Sequence, residues 1–301
     1  MNIGFIGLGK MGGNMTKRLA ADGHEVIAYD PNEAARAGVI DTGIRTVESR
    51  ELLVSSLEQQ LVWLMIPSQF VDQELDALLN IVSAGAIIID GGNSDFRLSK
   101  QRAERAATRG VKFVDVGTSG GILGLEHGYS MMVGGNKEAV ETLSPILTSL
   151  APPNGWHYFG ESGSGHYVKM VHNAIEYGLM ESYAEGYRLL KEGPYKGLDL
   201  AAAGRVWQQG SIIQSLLNGL TTEALLENPQ LDGIDGYVHE SGEARWALGV
   251  AEALKLETPS ILAAFDVRIR SQTGEVNFAT KLLAAMRNKF GGHTINKDSD
   301  K

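Results

Sequence analysis

The sequence contains no cysteine in its 301 residues. This absence excludes disulfides, thiolate catalysis and cysteine-based metal sites, and it is typical of a cytoplasmic protein. No run of about 18 apolar residues occurs, so we expect no membrane span. The first residues have a strand pattern instead of a basic segment followed by an apolar one, so we expect no secretory signal. The sequence therefore predicts a cytoplasmic protein.

Positive charge is in deficit, since the formal net charge is −9 at pH 7. This charge excludes a generally basic surface, so we expect no nucleic-acid partner. It still allows a local basic pocket for an anionic substrate. The length is sufficient for more than one domain with a core of its own.

A glycine-rich segment joins the first predicted strand, Asn2–Ile6, to a predicted helix. The second predicted strand, Glu25–Tyr29, follows this helix and leads directly into Asp30. A strand, a GxGxxG turn, a helix and an acid about 20 residues further on form the dinucleotide-binding pattern of Rossmann folds. The segment that we expect to contact the cofactor consists of Gly7, Leu8, Gly9, Lys10, Met11 and Gly12.

The acid at the end of the second strand predicts the choice of cofactor. A carboxylate at Asp30 accepts hydrogen bonds from the ribose hydroxyls of NAD and repels the 2′-phosphate of NADP. Pro31 and Asn32 follow, and Arg36 is the nearest cation that could bind such a phosphate. We therefore expect NAD to be preferred, with NADP less favoured.

The first half of the chain alternates strands with helices, and the second half has only helical patterns, among them 199–218 and 221–227. This order predicts an α/β, Rossmann-like doubly wound sheet followed by an all-α domain. We place the dinucleotide-binding domain at 1–162 and the substrate-binding and oligomerisation domain at 163–301.

Polar turns follow several predicted strands, where a doubly wound sheet has its ligand crevice. Asn93 follows the strand Ala86–Asp90, and Ser119 follows the strand Lys112–Val116. We expect Asn93 to contact substrate and cofactor, Ser119 to contact substrate, and Met65, at the end of another strand, to contact the cofactor. The alternative is that Asn and Ser occur here simply as common turn residues.

A predicted helix after Gly163 carries an unusual set of polar side chains. At 3.6 residues per turn, one face holds an amine, an imidazole, an amide, a carboxyl and a phenol. An ordinary solvated face is the alternative, but such faces are usually composed of Glu, Lys and Gln. The residues of this face are Lys169, His172, Asn173, Glu176 and Tyr177.

Basic residues are scattered through the second half, at Arg245, Arg268, Arg287 and His293. Arginines on a surface or at helix ends are the common explanation. If these residues converge in so acidic a protein, they form a pocket for phosphate or carboxylate.

With these motifs in hand, the chain resembles decarboxylating 6-phosphogluconate dehydrogenases of the short-chain form, within the β-hydroxyacid dehydrogenase superfamily. The resemblance covers nearly the whole sequence. The motifs that carry it are Asp90-Gly-Gly-Asn-Ser94, Ser119-Gly-Gly121, the segment from Lys169 to Tyr177, and Phe290-Gly-Gly-His293.

The resemblance implies a role for each matching residue. Lys169 is the expected base and acid at the substrate 3-hydroxyl, and Glu176 is the expected acid that protonates C1. Arg245 stands where the long-chain enzymes have lysine, and Ala247 stands where they have a phosphate-binding threonine. The residues expected to bind substrate are Asn93, Ser119, Gly120, Gly121, His172, Asn173, Tyr177, Arg245, Arg268, Arg287 and His293.

The implied reaction is oxidative decarboxylation of 6-phosphogluconate to ribulose 5-phosphate and CO2, with reduction of NAD and without a metal. The resemblance also implies a homo-oligomer, dimer or tetramer, in which Arg287 and His293 reach the partner's site. One rival is an NAD-dependent dehydrogenase for a smaller 3-hydroxy acid such as 3-hydroxyisobutyrate. Another is a regulatory protein that binds NAD without turnover.

Overall fold

The computed structural model describes residues 1–292 and divides the chain into two compact units, Met1–Met170 and Val171–Lys301. The sequence-based boundary between 162 and 163 lies just before a long helix, Ser164–Glu192, whereas the division between the units falls inside that helix. Within the described residues, no helix combines the length and apolar character needed to cross a membrane.

The N-terminal unit is built on an eight-stranded sheet with the order β3-β2-β1-β4-β5-β6-β7-β8. All neighbouring strands pair in parallel except β6 and β7, which are antiparallel. The strands are β1 Asn2–Ile6, β2 Glu25–Tyr29, β3 Arg45–Thr46, β4 Leu61–Leu64, β5 Ile87–Asp90, β6 Lys112–Ser119, β7 Ser130–Gly135 and β8 Trp156–Gly160. This arrangement confirms the predicted Rossmann-like fold class and adds an antiparallel pair to it.

Helices cover both faces of this sheet, because its central strands are apolar on both sides. Phe5 and Trp63 point to the face covered by α1 and α7, whereas Val62 and Ile88 point to the face covered by α3, α4 and α5. The helices of this part are α1 Lys10–Ala21, α2 Glu33–Ala37, α3 Arg50–Ser55, α4 Ser68–Leu79, α5 Phe96–Ala107, α6 Gly124–His127 and α7 Lys137–Leu150.

The rest of the described chain is helical, which confirms the prediction of an all-α second half. Its core is formed by apolar side chains of α8, α9, α10 and α13. The helices are α8 Ser164–Glu192, α9 Leu200–Trp207, α10 Leu216–Glu227, α11 Glu243–Leu254, α12 Pro259–Ser271 and α13 Phe278–Gly291.

The predicted helix over 199–218 is wrong, because two helices with a loop between them occupy this stretch. The first, α9, ends at Trp207, and the loop includes Gly210 with φ of +74°. Ser215 then caps α10, since its side chain accepts a hydrogen bond from the backbone N–H of Asn218. A left-handed glycine followed by a serine cap outweighs the helical periodicity here.

The strand β6 is longer than predicted and ends at Ser119 instead of Val116. Gly117, Thr118 and Ser119 pair with the antiparallel strand β7, which the sequence pattern could not assign as their partner. Ser119 is therefore held by the sheet itself and is not part of a free loop.

Candidate active site

The glycine loop after β1 has the backbone geometry that a pyrophosphate requires. Gly7 adopts φ of +98°, and a Cβ at this position would lie 2.4 Å from the carbonyl oxygen of Met65. A Cβ at Gly12 would lie 2.0 Å from the carbonyl oxygen of Gly7, whereas one at Gly9 would meet nothing within 4 Å. Open space at Gly9, at the positive end of α1, therefore fits the phosphates of a dinucleotide.

Asp30 is fixed beside this loop by the backbone. Its Oδ2 accepts a hydrogen bond of 2.7 Å from the N–H of Leu8, and its Oδ1 accepts one of 2.8 Å from the N–H of Asn32. Arg36 donates from Nη1 to the carbonyl oxygen of Asp30 at 2.7 Å, and no ion pair joins it to the Asp30 carboxylate within the described chain. The carboxylate is thus held at the end of β2, where the ribose of a dinucleotide lies.

A buried ion-pair network holds the loop that carries Asn93. Asp90, fully buried at the end of β5, accepts from Arg102 Nη1 at 3.0 Å and from Ser94 Oγ at 2.8 Å. Its other oxygen accepts from the N–H of Gly92 at 3.2 Å. Asn93 is exposed between these fixed neighbours. The loop therefore presents the Asn93 amide from a rigid base.

The turn after β6 presents Ser119, Gly120 and Gly121 in a conformation that requires glycine. Gly120 has φ of +127° and Gly121 has φ of +52°. A 3-10 turn begins at Gly121, and a Cβ at Gly120 would lie 3.2 Å from the Tyr129 ring. Gly120 is exposed and Gly121 is half-buried, so the backbone at this turn is accessible to a ligand.

Lys169 lies against the same strand. Lys169 is buried, with only 8% of its surface exposed. A Cβ at Gly117 would lie 2.3 Å from Lys169 Cβ, so only glycine at that position of β6 allows α8 to pack so closely. In the N-terminal unit, the structure therefore brings Lys169 next to the strand that ends in Ser119.

In the C-terminal unit, a chain of hydrogen bonds joins polar side chains of α8 to one of α11; we call it the relay. His172 Nδ1 donates to Asn173 Oδ1 at 2.9 Å, and Asn173 Nδ2 donates to Glu243 Oε1 at 2.6 Å. Glu176 Oε2 lies 4.0 Å from His172 Nδ1. The residues predicted to orient the substrate are thus held in fixed orientations by one another and by Glu243, which is 2% exposed.

Two arginines are buried near Tyr177 on the same unit. Arg268 is 1% exposed, and its guanidinium carbon lies 3.2 Å from the centre of the Tyr177 ring. Burial lowers the pKa of Arg268, and the pKa of Arg287 falls to about 10 through burial and then through the nearby charge of Arg268. Guanidinium groups stay protonated in proteins, so both side chains are cationic at neutral pH.

The positive charges of the Arg268–Arg287 pair are suited to binding an anion. Within residues 1–292, neither guanidinium forms an ion pair with a carboxylate, and Arg268 Nη2 lies near Met180 Sδ at 3.6 Å. Two neighbouring buried cations repel each other and lose hydration, so an added phosphate or carboxylate would relieve both costs.

Arg245 is not brought into this cluster. Its side chain is 58% exposed and pairs with Glu240 at 2.8 Å, with its guanidinium stacked over Phe265. His293 lies outside the described residues. The sequence therefore predicted the cationic set, but only burial in the fold distinguishes Arg268 and Arg287 from Arg245.

Sequence reasoning missed Glu243 and Arg102. Glu243 begins α11, where an acid is an ordinary first-turn residue, and Arg102 lies on a helix rich in charge. Their hydrogen-bond partners, Asn173 and Asp90, come from distant parts of the chain, so no local signal in the sequence identifies them.

Comparison with known proteins agrees with this geometry. Residues 2–160 match the NAD-binding domain of 6-phosphogluconate dehydrogenase, and residues 165–277 match the C-terminal domain of that enzyme. The chain is 38% identical over 304 residues to an NAD(+)-dependent, decarboxylating 6-phosphogluconate dehydrogenase of Haloferax volcanii, with all of both chains covered.

Solved structures show the same relationship. A Plasmodium falciparum 6-phosphogluconate dehydrogenase superposes with a TM-score of 0.82 at 27% identity, covering 100% of this chain and 67% of that chain. A 3-hydroxyisobutyrate dehydrogenase of Mycobacterium tuberculosis superposes with a TM-score of 0.74 at 20% identity, covering 93% of this chain and 97% of that chain. The second likeness shows the fold alone.

The fold and the nucleotide loop define an oxidoreductase that binds a nicotinamide dinucleotide. The chain belongs to the 6-phosphogluconate dehydrogenase family.

Proposed function

We propose that the protein catalyses the oxidative decarboxylation of 6-phosphogluconate to ribulose 5-phosphate and CO2, with NAD as the oxidant. The observation that carries this proposal is the buried pair Arg268 and Arg287 beside Tyr177. Two guanidinium groups match the double negative charge of a phosphate better than the single charge of a carboxylate, which is the only anionic group of a smaller 3-hydroxy acid. Both proton-transfer residues, Lys169 and Glu176, lie on α8, the helix that also carries Tyr177.

Lys169 and Glu176 divide the proton transfers between them. When bound, NAD accepts the hydride that leaves C3 of the sugar acid. The neutral amine of Lys169 takes the proton of the 3-hydroxyl, which gives a β-keto acid. The new carbonyl accepts the electron pair released when the C1 carboxylate leaves as CO2, and the ammonium of Lys169 stabilises the enolate. Glu176 then donates a proton to C1, which completes the ketose.

The remaining polar residues bind and orient the sugar acid in this scheme. Asn93, Ser119, His172 and Asn173 donate or accept hydrogen bonds along its hydroxyls and carboxylate. The relay from His172 through Asn173 to Glu243 fixes the orientation of both side chains before substrate binds.

One assay tests the proposal and separates its rivals. Purified protein is mixed with NAD and 6-phosphogluconate, and both NADH absorbance and released CO2 are followed. NADH and CO2 in equal amounts support the proposed reaction. NADH without CO2 indicates a simple 3-hydroxy acid dehydrogenase, and neither product indicates a nucleotide-binding regulator or another substrate.

We also propose that NAD is preferred over NADP. The support is the fixed carboxylate of Asp30, which a 2′-phosphate would approach at the cost of charge repulsion. The test compares kcat/KM for both cofactors in wild type and in Asp30→Asn. The preference for NAD should fall in the variant, and a wild-type preference for NADP would contradict the proposal.

On the resemblance, we propose a homo-oligomer, dimer or tetramer, in which His293 completes the partner's site. The exposed apolar side chains Ile175, Leu179 and Leu189 of α8 support association. The resemblance implies the same role for Arg287, but Arg287 lies beside Arg268 of its own chain, so we assign it to the site of that chain.

Mixed oligomers test the shared site. Lys169→Met and His293→Ala subunits, each inactive alone, are co-expressed and purified as hybrids with two different tags. If the residues serve different subunits, hybrids regain part of the activity. Hybrids without activity, or a monomeric mass in solution, would refute the shared site.

A further inference from the structure

The N-terminal end of α8 is held by a buried carboxylate that the proposed reaction does not use. Asp115 lies on β6 and is fully buried. Its Oδ1 accepts a hydrogen bond of 2.7 Å from the N–H of Gly163, and its Oδ2 accepts one of 3.0 Å from the N–H of His166. N–H groups at the start of a helix have no partner within the helix. Asp115 therefore caps α8 from a strand of the sheet, although the two segments are far apart in the sequence.

Glycines make room for this cap. A Cβ at Gly134 would lie 2.9 Å from Asp115 Oδ1, and a Cβ at Gly165 would lie 2.6 Å from the Asp115 carbonyl oxygen and 2.4 Å from that of Met132. Gly163 has φ of +96°, and a Cβ there would lie 2.7 Å from the carbonyl oxygen of Phe96. The first turn of α8 therefore packs directly on the backbone of β6 and β7.

A second contact fixes the same turn to the helix that follows Asn93. His166, 1% exposed, forms a hydrogen bond of 2.7 Å between its Nδ1 and Ser99 Oγ on α5. The rings of Phe96 and Tyr167 meet edge to face at 5.1 Å. The start of α8 is thus connected to both of the segments that present predicted substrate ligands, β6 and the region after β5.

The position of Lys169 depends on this attachment. Gly117, two residues after Asp115, would place a Cβ 2.3 Å from Lys169 Cβ, and residues at i and i+2 of a strand face the same side. Asp115 and the contact point of Lys169 therefore lie on one face of β6. A buried carboxylate needs its hydrogen bonds, and the positive end of the helix dipole favours it there. The register of α8 on β6 is strongly specified as a result.

We propose that Asp115 is a positioning residue whose carboxylate fixes the first turn of α8 on β6 and thereby sets where the Lys169 amine meets the substrate. This role rests on the proposed function, in which Lys169 moves the proton of the 3-hydroxyl. Asp115 touches neither substrate nor cofactor in this account and acts only through the helix.

The variant Asp115→Asn tests the proposal because it keeps the size of the side chain. Its amide can accept only one of the two hydrogen bonds and turns a donor toward the other N–H. We expect kcat with 6-phosphogluconate to fall by about 10- to 100-fold, as for a small displacement of a catalytic group. The Kd for NAD, measured by fluorescence, should stay close to that of wild type.

Asp199→Ala is the control, because alanine removes a helix cap outside the proposed site, whereas asparagine would keep it. Asp199 caps α9 by accepting a hydrogen bond of 2.9 Å from the N–H of Ala202, and α9 carries no residue of the proposed site. We expect its kcat to equal that of wild type. Equal losses of kcat in the two variants would overturn the proposal, because any weakened cap would then suffice.

Hydrogen exchange gives a readout that does not depend on the substrate. Peptides covering residues 163–170 should exchange faster in Asp115→Asn than in wild type, while peptides of α7 should be unchanged. If wild type does not turn over 6-phosphogluconate, the proposed function fails but the exchange result still stands. Faster exchange with wild-type kcat, or unchanged exchange, would refute the positioning role.

Gly165→Ala provides a second route that keeps Asp115. Its Cβ would press on the carbonyl oxygens of Asp115 and Met132, so the first turn of α8 must move away from the sheet. We expect the same loss of kcat with the Kd for NAD preserved. If Asp115→Asn does not fold, this variant decides, and wild-type kcat in Gly165→Ala would overturn the proposal.

Discussion

Single residues of the same type have very different environments in this protein, and arginine is the clearest example. Arg245 and Arg268 are both predicted phosphate ligands, yet Arg245 is exposed and paired with Glu240, whereas Arg268 is buried against Tyr177. Their sequence contexts do not reveal this difference, because it depends on how α12 packs against α8. A buried cation without a carboxylate partner has the larger interaction to offer an anion.

Replacing each arginine by glutamine should therefore give unequal effects. Arg268→Gln removes a buried charge, so we expect KM for 6-phosphogluconate to rise by about 10- to 100-fold, the value of a charge-assisted hydrogen bond. Arg245→Gln should change KM by less than about threefold, since exposed pairs contribute little. Steady-state kinetics measure both, with the Kd for NAD as a check on folding. Similar rises in KM for both variants would contradict the assignment.

Glu181 shows the cost of burying a carboxyl on α8. It is 6% exposed, and burial, followed by the nearby charge of Glu185, raises its pKa from 4.5 to about 7, against the attraction of Arg268 and Arg270. Between these pH values the folded protein holds a proton that the unfolded chain releases. The stabilising contribution is thus complete below about pH 4.5 and is lost as the pH rises through about 7.

Glu181→Gln imitates the protonated carboxyl at every pH. At pH 4 the unfolding temperature of the variant should be close to that of wild type. At pH 8 the variant should be more stable, by a free energy on the order of 3 kcal/mol, because wild type then buries a charge. Thermal unfolding at both pH values measures this difference. An equal difference at pH 4 and pH 8 would show that Glu181 does not titrate in this range.

At the scale of an element, the glycine loop separates folding from cofactor binding. A Cβ at Gly12 would collide with the Gly7 carbonyl at 2.0 Å, whereas a Cβ at Gly9 would meet open space. We expect Gly12→Ala to lower the unfolding temperature without NAD present. Gly9→Ala should keep that temperature but lose most of the stabilisation by added NAD, because the methyl group occupies the phosphate position.

Thermal shift measurements with and without NAD test both variants. If Gly9→Ala is stabilised by NAD as strongly as wild type, the phosphates do not approach the loop at Gly9. If Gly12→Ala unfolds at the wild-type temperature, the close packing of α1 on β1 is not needed for stability.

Elements with strong local signals could be predicted from the sequence, whereas those that depend on distant partners could not. The apolar strands β1, β2, β4 and β5 are apparent from their composition and from the turns that flank them. The end of β6 depends on its antiparallel partner β7, and the break between α9 and α10 depends on the conformation of Gly210 and the cap at Ser215. The capping role of Asp115 could not be predicted either, because its hydrogen-bond partners lie in the distant α8 segment.

For the whole molecule, the two-part organisation could be predicted, but not the packing of charge. A net charge of −9 gives no hint that Arg102, Arg268 and Arg287 are all buried. Arg102 is neutralised by Asp90 and serves the loop of Asn93, whereas Arg268 and Arg287 have no such carboxylate partner among residues 1–292. One buried arginine is therefore structural and two are suited to an anionic ligand.

The most direct test of the central claim is the activity of Lys169→Met. Methionine keeps the length and burial of the side chain but cannot accept the proton of the 3-hydroxyl. We expect no measurable formation of NADH or CO2 from 6-phosphogluconate, with a Kd for NAD close to that of wild type. Retention of a tenth of the wild-type kcat, a barrier change of only about 1.4 kcal/mol, would contradict the role of Lys169 as the base.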